Sequence, residues 1–360
     1  MLSVRLDELS IVHLRNIRSA RIEPCPRFNV ISGRNGMGKS NLIEGIYLLG
    51  ALRSFRTAVR GELLMYGEER ARVTGLFGDA AAGIRCEMTW TRGERTVTVD
   101  GKDVTATGMH FQMLPMVLFH PAMMDIVQGG PEIRRRFLDR AMFQADGRYP
   151  SIYRAYQRVL ANRNRLLRDG RSDQRALAPF DTQLADAGSR MVSMRAEFVD
   201  QMQPFFKDAA ERISEGGVAE MTYRPSIRGA QEEYARVLAD KAGVDRERRF
   251  TTAGPHADDL VFLMEGHAAR RYASQGQQRT LVLAAKIAET RALADCTGRI
   301  PLLLFDDVSS ELDRDRNRHL FAFLQSMGGQ VFITTTHRDY IHIDEHRADY
   351  SVVDGTFIPG

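Results

Sequence analysis

Several features that would narrow the function of a chain are scarce in this one. Its 360 residues include only three cysteines, Cys25, Cys86 and Cys296, and they lie far apart. This spacing argues against a disulfide framework or a zinc site, and it favours a reducing, cytoplasmic environment. No apolar run approaches the roughly 20 residues that a membrane-spanning helix needs. The first residues include acids and form no apolar core, so we expect neither a signal peptide nor a membrane partner.

Lysine is also scarce, since 45 of the 50 basic residues are arginine. A preference for arginine over lysine can come from the base composition of the genome as well as from function. Arginine counts are therefore weak evidence for nucleic-acid binding. The net charge of +4 and the pI of about 9.0 are compatible with a nucleic-acid partner but do not establish one. With 43% hydrophobic residues, the chain has the composition of a soluble globular protein of two or three domains.

A glycine-rich segment follows a predicted buried strand at residues 28–32 and precedes a predicted helix. The segment reads G-x-x-x-x-G-K-S, the pattern of a phosphate-binding P-loop. Its backbone N–H groups and Lys39 would bind phosphates, and the Ser40 hydroxyl would ligate Mg²⁺. The predicted ATP-binding residues are Gly33, Arg34, Asn35, Gly36, Met37, Gly38, Lys39, Ser40 and Asn41.

A second predicted strand, at residues 302–305, is followed by two acids, Asp306 and Asp307. Ligands of parallel sheets bind at the carboxyl ends of the strands, which is where these side chains would lie. We predict that Asp306 ligates Mg²⁺ and that Asp307 orients or deprotonates the attacking water. His337 ends the next predicted strand, and we predict that it hydrogen-bonds the γ-phosphate or that water.

The segment Ser274-Gln275-Gly276-Gln277-Gln278-Arg279 precedes a strongly apolar predicted helix. Ser274 is a good helix N-cap, so an ordinary capped helix is one interpretation. The other is a second anion site, because helix N-termini bind anions. In an ABC-type fold this site contacts the γ-phosphate held by another subunit. The residues predicted for that role are Ser274, Gln275, Gly276 and Gln277.

The spacing of these segments predicts how the domains are arranged. Asp306 follows Lys39 by 267 residues, which is more than a compact nucleotide-binding core needs. We therefore predict an α/β ATPase domain built from residues 1–124 and 249–360, with a mostly helical arm inserted at 125–248. Alternating apolar residues between 70 and 101 predict an antiparallel β layer. Within the arm, an apolar stripe from Ala187 to Met202 predicts a helix that ends at Pro204.

Taken together, these motifs resemble those of the RecF family of bacterial DNA-repair ATPases, which belongs to the ABC/SMC-like superfamily. The resemblance runs from Leu14-Arg15-Asn16 to His337 and includes Gly254-Pro255-His256 and the run from Leu304 to Asp313. It implies an ABC-type P-loop ATPase head. It also implies that Asp313 lies in a D-loop and, by similarity to SMC heads, that Arg56 is an arginine finger.

The resemblance further implies a function in DNA replication, recombinational repair and the SOS response. Members of the family form ATP-dependent homodimers on DNA at single-strand gaps and junctions, and they help to load recombinase. The implied cofactors are ATP and Mg²⁺, and the implied partners are DNA, a second copy of the chain and recombination mediators such as RecR. We expect a nucleoid-associated protein. We also expect weak, DNA-stimulated hydrolysis, because Asp307 is shorter than the Glu common in ABC transporters.

The arm offers one candidate DNA surface. Residues 134–175 contain twelve arginines, four aspartates, and no Lys or Glu. Arg154, Arg158 and Arg165 fall on one face of a predicted helix, and such arrays contact phosphates without reading sequence. A solvated helix face in an arginine-rich protein is the alternative interpretation. The neighbouring arginines at 134–136 could instead hold the arm to the ATPase domain.

Two other functions fit parts of the pattern. The nucleotide-binding subunit of an ABC transporter would be shorter and would keep a Q-loop glutamine, whereas this chain has Val117-Leu118-Phe119-His120-Pro121 there. A scaffold that binds ATP only to dimerise would not need Asp307 and His337. A metabolic P-loop kinase would lack the segment at 274–279.

Overall fold

A computed structural model describes residues 1–78, 83–105, 107–170, 173–213, 217–307, 314–338, 341, 343 and 346–360. The chain divides into two compact units. The first unit contains residues 1–123 and 289–360, and the second contains residues 124–288. Among the described helices, none is both long enough and apolar enough to cross a membrane.

The described strands and helices are numbered in chain order. The strands are β1 (Leu2–Ser3), β2 (Leu6–Leu14), β3 (Ile17–Ile22), β4 (Phe28–Ser32), β5 (Ala71–Phe77), β6 (Ile84–Trp90), β7 (Arg95–Val99), β8 (Lys102–Asp103), β9 (Met116–Phe119), β10 (Ala219–Arg224), β11 (Asp259–Met264), β12 (His267–Ala268), β13 (Arg299–Ile300), β14 (Leu302–Asp306), β15 (Val331–Thr335), β16 (Arg347–Val353) and β17 (Thr356–Pro359). The helices are α1 (Lys39–Ala51), α2 (Thr107–Met113), α3 (Asp125–Gln128), α4 (Pro131–Ala145), α5 (Tyr149–Arg168), α6 (Gln174–Ile213), α7 (Gln231–Arg248), α8 (Ala269–Tyr272), α9 (Gln275–Thr297) and α10 (Arg314–Met327). Short 3₁₀ helices cover Arg60–Leu63, Pro121–Met124 and Pro255–Ala257.

The first unit is built on a mostly parallel sheet with the strand order β17-β16-β4-β15-β14-β9. Every residue of β4, β14 and β15 is buried, as expected for strands covered on both faces. In the register of this sheet, Asp306 lies opposite Thr334, and Thr335 lies opposite Ser32. The carboxyl ends of the three strands therefore meet at one edge, where the glycine-rich segment leaves β4.

An antiparallel sheet with the order β3-β2-β5-β6-β7-β8 forms a second layer of this unit, which confirms the predicted β layer. Its inward residues, including Leu9, Val73 and Met88, share one hydrophobic core with Leu42 and Ile46 of α1. The P-loop helix is therefore packed against both sheets. That packing stabilises the start of the helix next to the parallel sheet.

The second unit is mostly helical, but it includes more of the chain than the predicted arm. It extends past residue 248 to 288. The reason is long-range pairing: β10, inside the predicted arm, pairs along its whole length with β11. Arg134 of α4 also donates to both carboxylate oxygens of Asp259, at 2.7 and 2.9 Å, and Arg135 donates to the Asp258 carbonyl. As a folding unit, the inserted domain stays a prediction.

The predicted helix end at Pro204 is wrong, because α6 continues to Ile213 with Pro204 inside it. A proline inside a helix costs about 3 kcal/mol. Full burial of one large apolar side chain contributes roughly 1.5–3 kcal/mol. Met202, Phe206 and Ile213 are all buried and continue the apolar stripe across the proline. Their burial outweighs the missing backbone hydrogen bond.

The second unit buries a set of paired charges that we call the closed cluster. The Arg163 side chain is fully buried and donates to Asp181 and Asp245, both at 2.7 Å. Arg195 is 2% exposed and donates to Asp139 at 2.7 Å and to Asp258 at 3.0 Å. Each guanidinium thus contacts two carboxylates. The six residues are Asp139, Arg163, Asp181, Arg195, Asp245 and Asp258.

Candidate nucleotide-binding site

The glycine-rich segment connects β4 directly to α1, as the sequence predicts. Gly38 precedes the helix with a φ of 114°, and a Cβ there would lie 2.9 Å from Oδ1 of Asn16. A Cβ on Gly33 would lie 2.7 Å from the carbonyl oxygen of Val352. Both positions therefore favour glycine for physical reasons, one for its backbone angle and both for space.

Lys39 is buried and turns back over the glycine-rich loop. Its Nζ donates to the carbonyl oxygens of Gly33 at 2.6 Å and Arg34 at 3.1 Å, and to Oδ1 of Asn35 at 3.4 Å. Burial lowers the pKa of the ammonium, while the charges of Asp307 and Asp306 oppose that shift. The loop therefore holds a partly desolvated cation among uncharged acceptors. Phosphate oxygens can replace such acceptors.

Asp306 lies at the carboxyl end of β14 and is buried. The hydroxyl groups of Ser40 and Thr334 both donate to its Oδ1, at 2.7 and 3.0 Å. Burial raises the pKa of Asp306, and these two hydrogen bonds and the charge of Arg56 oppose the rise. We call Lys39, Ser40, Asp306 and Thr334 the open cluster. Sequence reasoning missed Thr334, although it belongs to the polar run that ends β15.

The contact between Ser40 and Asp306 brings the two predicted Mg²⁺ ligands together. A hydroxyl and a carboxylate suit Mg²⁺, which prefers oxygen ligands and usually keeps water and phosphate oxygens in its shell. Within the described ranges, no group of three or more His, Cys, Asp or Glu residues could hold a metal ion. Because one hydroxyl and one carboxylate fill only part of the shell of Mg²⁺, the Ser40–Asp306 pair suits an ion that arrives with the phosphate oxygens of a nucleotide.

Asp307 and His337 follow neighbouring strands, β14 and β15. Asp307 has a φ of 52°, a left-handed conformation that is uncommon outside glycine, and its N–H donates to the Thr334 hydroxyl at 2.9 Å. His337 is exposed, and its N–H donates to the Thr335 hydroxyl at 3.2 Å. Backbone strain of this kind is often found at functional sites. The catalytic roles of both residues stay predictions.

Arg56 lies beside the P-loop helix. Its Nη1 donates to Oδ1 of Asn41 at 2.7 Å and lies 3.6 Å from Oε2 of Glu44. The Glu44 side chain is fully buried on α1 and was not singled out in the sequence, since a Glu in a helix usually faces solvent. Phe55, next to Arg56, has its ring 5.5 Å from that of His120, at the position of the missing Q-loop glutamine.

The segment at 274–279 begins α9 and belongs to the second unit. Gln277 N–H donates to the Ser274 hydroxyl at 3.2 Å, and Ser274 N–H donates to Oε1 of Gln277 at 2.8 Å. This reciprocal pair is a capping box, so the capped-helix interpretation describes the segment within one chain. Ser274, Gln275 and Gln277 are exposed, and Gly276 is half-buried. The Ser274 oxygen accepts in this box, so its own hydrogen can donate to a ligand.

Arg154, Arg158 and Arg165 are exposed on α5. The exposed positions of this helix are 151, 154, 158, 161, 165 and 168, a single face at alternating spacings of three and four. Arg163, on the same helix, is by contrast fully buried and belongs to the closed cluster. Asp313, the predicted D-loop residue, lies outside the described residues.

The chain matches the family model described as "RecF/RecN/SMC N terminal domain" over residues 5–354. It is 41% identical to the "DNA replication and repair protein RecF" of Anaeromyxobacter sp. (strain Fw109-5), with 94% of each chain covered. It is 37% identical to the protein of the same name from Geobacter sulfurreducens, with 99% of this chain and 100% of that one covered.

Among solved structures, the "recombination mediator protein RecF-ATP in RecFOR pathway" is 31% identical. It has a TM-score of 0.91 and covers 99% of this chain and 98% of its own. An Smc head bound to the C-winged helix domain of ScpA is 13% identical, with a TM-score of 0.58, and covers 99% and 97%. The likenesses confirm the predicted ABC-type ATPase head fold.

Proposed function

Because the chain belongs to the RecF family, we propose that it is a DNA replication and repair protein that dimerises around ATP and clamps DNA. One observation supports the proposal: the Ser40 hydroxyl donates to Asp306 next to a desolvated lysine, an arrangement that would suit Mg²⁺ and a phosphate. A structure 31% identical to this chain is described as RecF with ATP. ATP is therefore the nucleotide that we assign to the site.

The residues of the open cluster would divide the work of binding. Lys39 would exchange its carbonyl acceptors for the β- and γ-phosphate oxygens, and the N–H groups of the loop would hold the rest. Ser40 and Asp306 would hold Mg²⁺, which would neutralise charge on the phosphates. Asp307 would orient the attacking water, and His337 would hydrogen-bond the γ-phosphate. A carboxylate as short as Asp favours slow hydrolysis that resets the clamp.

Dimerisation would supply the remaining contacts. Ser274 and Gly276 would donate to the γ-phosphate held by a second copy of the chain, through the exposed N-terminus of α9. Each subunit would then carry two half-sites. Only the triphosphate would join them, because ADP lacks the group that both sides contact.

DNA would bind along the arginine face of α5, and occupancy there would stimulate hydrolysis. Arg154, Arg158 and Arg165 are exposed at spacings that suit contacts to successive phosphates. The solved RecF is described as a recombination mediator in the RecFOR pathway. We extend that pathway to this chain, with mediator partners such as RecR, and we take a function at single-strand gaps from the family resemblance.

The dimer is tested by measuring mass in solution with no nucleotide, with ADP and with ATP. The wild type should dimerise only with ATP, while Lys39→Met and Ser274→Arg should stay monomeric. Ser19→Arg, at an exposed serine of β3, is the matched control and should behave as wild type. Asp307→Asn should dimerise and stay dimeric, because it binds ATP without hydrolysing it. A wild-type dimer that forms equally with no nucleotide, with ADP and with ATP would contradict the proposal.

The DNA surface is tested by the salt dependence of binding. Changing Arg154, Arg158 and Arg165 to Glu should reduce the slope of log K against log salt by roughly 2 to 3, since each phosphate contact contributes about 0.9. The control changes Arg190, Arg212 and Arg236 to Glu, three exposed arginines of α6 and α7. Equal slopes for the two triple variants would place the DNA elsewhere.

A further inference from the structure

The P-loop helix carries a buried carboxylate that the ATP site itself does not use. Glu44 lies four residues after Ser40 on α1, so both side chains are on one face of the helix. Its side chain is fully buried. Three side chains contact the Glu44 carboxylate: the guanidinium groups of Arg15 and Arg56 and the hydroxyl of Ser54.

The two arginines contact Glu44 differently. Arg15 binds both carboxylate oxygens, with Nε and Nη2 each at 2.9 Å, and its side chain is 18% exposed. Arg56 approaches one oxygen at 3.6 Å, and its side chain is 43% exposed. Arg15 therefore neutralises Glu44 by itself. Arg56 can leave without stranding a buried charge, which would otherwise be the main cost of such a movement.

Ser54 fixes the backbone of the loop while the Arg56 side chain stays exposed. The Ser54 hydroxyl donates to Oε1 of Glu44 and accepts the N–H groups of Arg56 at 2.9 Å and Thr57 at 3.1 Å. The Ser54 side chain thus connects the backbone of residues 54–57 to Glu44 on α1. An arginine on an anchored backbone loses less entropy when it binds a phosphate.

Arg56 is also connected to the P-loop. Its present acceptor, Asn41, donates to Asn16 at 2.7 Å, and Asn16 donates to the carbonyl oxygen of Gly36 at 3.1 Å. Arg56 therefore lies beside the phosphate site of its own subunit and is held there by a neutral amide.

We propose that Glu44 and Ser54 are positioning residues that hold Arg56 beside Asn41, from where Arg56 turns to the γ-phosphate when ATP is bound. The inference rests on the proposed function, because it assumes a triphosphate in the P-loop. In this inference, the buried carboxylate of Glu44 affects ATP hydrolysis only by positioning Arg56.

A double-mutant cycle tests this dependence. Hydrolysis is measured in single turnover for Ser54→Ala, Arg56→Ala and the double variant, together with the affinities for ATP and ADP. Arg56→Ala should slow hydrolysis about 10²-fold, as for the loss of one donor to a developing charge. Ser54→Ala should slow it by about tenfold to 10²-fold, the effect of displacing a catalytic group by about 1 Å. The double variant should be no slower than Arg56→Ala, and ADP affinity should stay within about twofold.

Glu44→Gln is the second variant. It should slow hydrolysis by itself, and the double variant Glu44→Gln, Arg56→Ala should be no slower than Arg56→Ala alone. Ser19→Ala is the control for a serine outside the site and should hydrolyse ATP as the wild type does. Multiplicative losses in the double variant would overturn the inference, because Ser54 would then act independently of Arg56. A loss of ADP affinity in Ser54→Ala as large as its loss of hydrolysis rate would also overturn the inference, because it would show general damage to the nucleotide site.

The two proposals fail in distinguishable ways. If the wild type neither binds nor hydrolyses ATP, the proposed function fails. If the wild type hydrolyses ATP and Arg56→Ala slows it, but Ser54→Ala and Glu44→Gln do not, only the positioning role fails.

Discussion

The closed cluster of the second unit contains opposite charges in contact, whereas the open cluster of the first unit keeps them apart. Arg163 and Arg195 meet carboxylates at 2.7 to 3.0 Å. Lys39 donates to two carbonyl oxygens and an amide oxygen, and two hydroxyl groups donate to Asp306. Burial accordingly lowers the pKa of Lys39 and raises that of Asp306.

The difference indicates which buried charges are structural and which await a ligand. A charge compensated within the protein contributes to folding, and its removal strands its partner. A charge whose direct hydrogen-bond partners are all neutral remains available to form an ion pair with a ligand. Substitutions in each cluster test this contrast.

The largest effect is expected in the closed cluster. Asp245→Ala leaves Arg163 with one carboxylate partner in a buried site and should lower the free energy of unfolding by about 3–5 kcal/mol. Urea denaturation followed by circular dichroism measures the change. The matched control is Asp186→Ala, whose carboxylate is 56% exposed and 3.9 Å from Arg190. It should cost under about 0.5 kcal/mol. Equal losses would show that the closed cluster is not structural.

The next effect concerns the cation of the open cluster. Lys39→Met should leave the melting temperature without nucleotide unchanged or slightly higher, because a desolvated charge is removed. It should abolish stabilisation by ATP, which for the wild type is about 2.7 kcal/mol at a hundred times Kd. Thermal melts with and without ATP measure both quantities. Lys102→Met, at an exposed lysine of β8, should respond to ATP as the wild type does.

A smaller effect, a gain in the free energy of unfolding, is expected when the carboxylate of Asp306 is replaced. Asp306→Asn keeps an oxygen that can accept from Ser40 and Thr334, and it removes a carboxylate whose ionised form is disfavoured by burial. We expect the nucleotide-free protein to gain roughly 0.5–2 kcal/mol, the usual range for stabilising substitutions. Asp315→Asn, at an exposed carboxylate of α10, should change stability little. A clear loss of stability in Asp306→Asn would place Asp306 with the structural charges.

The smallest effect is the pH dependence of that gain. Because the folded pKa of Asp306 is raised, the folded protein binds a proton there more readily than the unfolded chain does. The penalty from ionised Asp306 is therefore present at neutral pH, and it fades as the pH falls through the raised pKa. The stability difference between Asp306→Asn and wild type should shrink between pH 7 and pH 4 in parallel urea titrations. A difference that grows on acidification would contradict the sign of the shift.

The elements that meet at the open cluster were predictable because each is marked locally. The P-loop residues are contiguous, and Asp306 directly follows the apolar run of β14. The rules of parallel sheets then place their carboxyl ends at one edge, so the contact of Ser40 with Asp306 follows from the topology. Thr334 was not foreseen, because three consecutive threonines at a strand end give no indication of which one faces the acid.

The closed cluster and the unit that contains it were less predictable. The pairing of β10 with β11 joins segments that the motif spacing had assigned to different domains, and no local sequence pattern predicts that pairing. Pro204 looked like a helix end because the missing N–H is local, while the compensating burial of Phe206 is tertiary. Glu44 was overlooked for the same reason, since its arginine partner comes from a turn 29 residues earlier.

The helix α9 affects how this protein can be dissected. The boundary between the compact units falls between Ala288 and Glu289, inside one uninterrupted helix. An expression fragment cut at that boundary would end in mid-helix and would remove hydrogen-bond partners from the last turn it keeps. Fragments meant to isolate the second unit should therefore extend through Thr297, and insertions or fluorescent tags should avoid the interior of this helix.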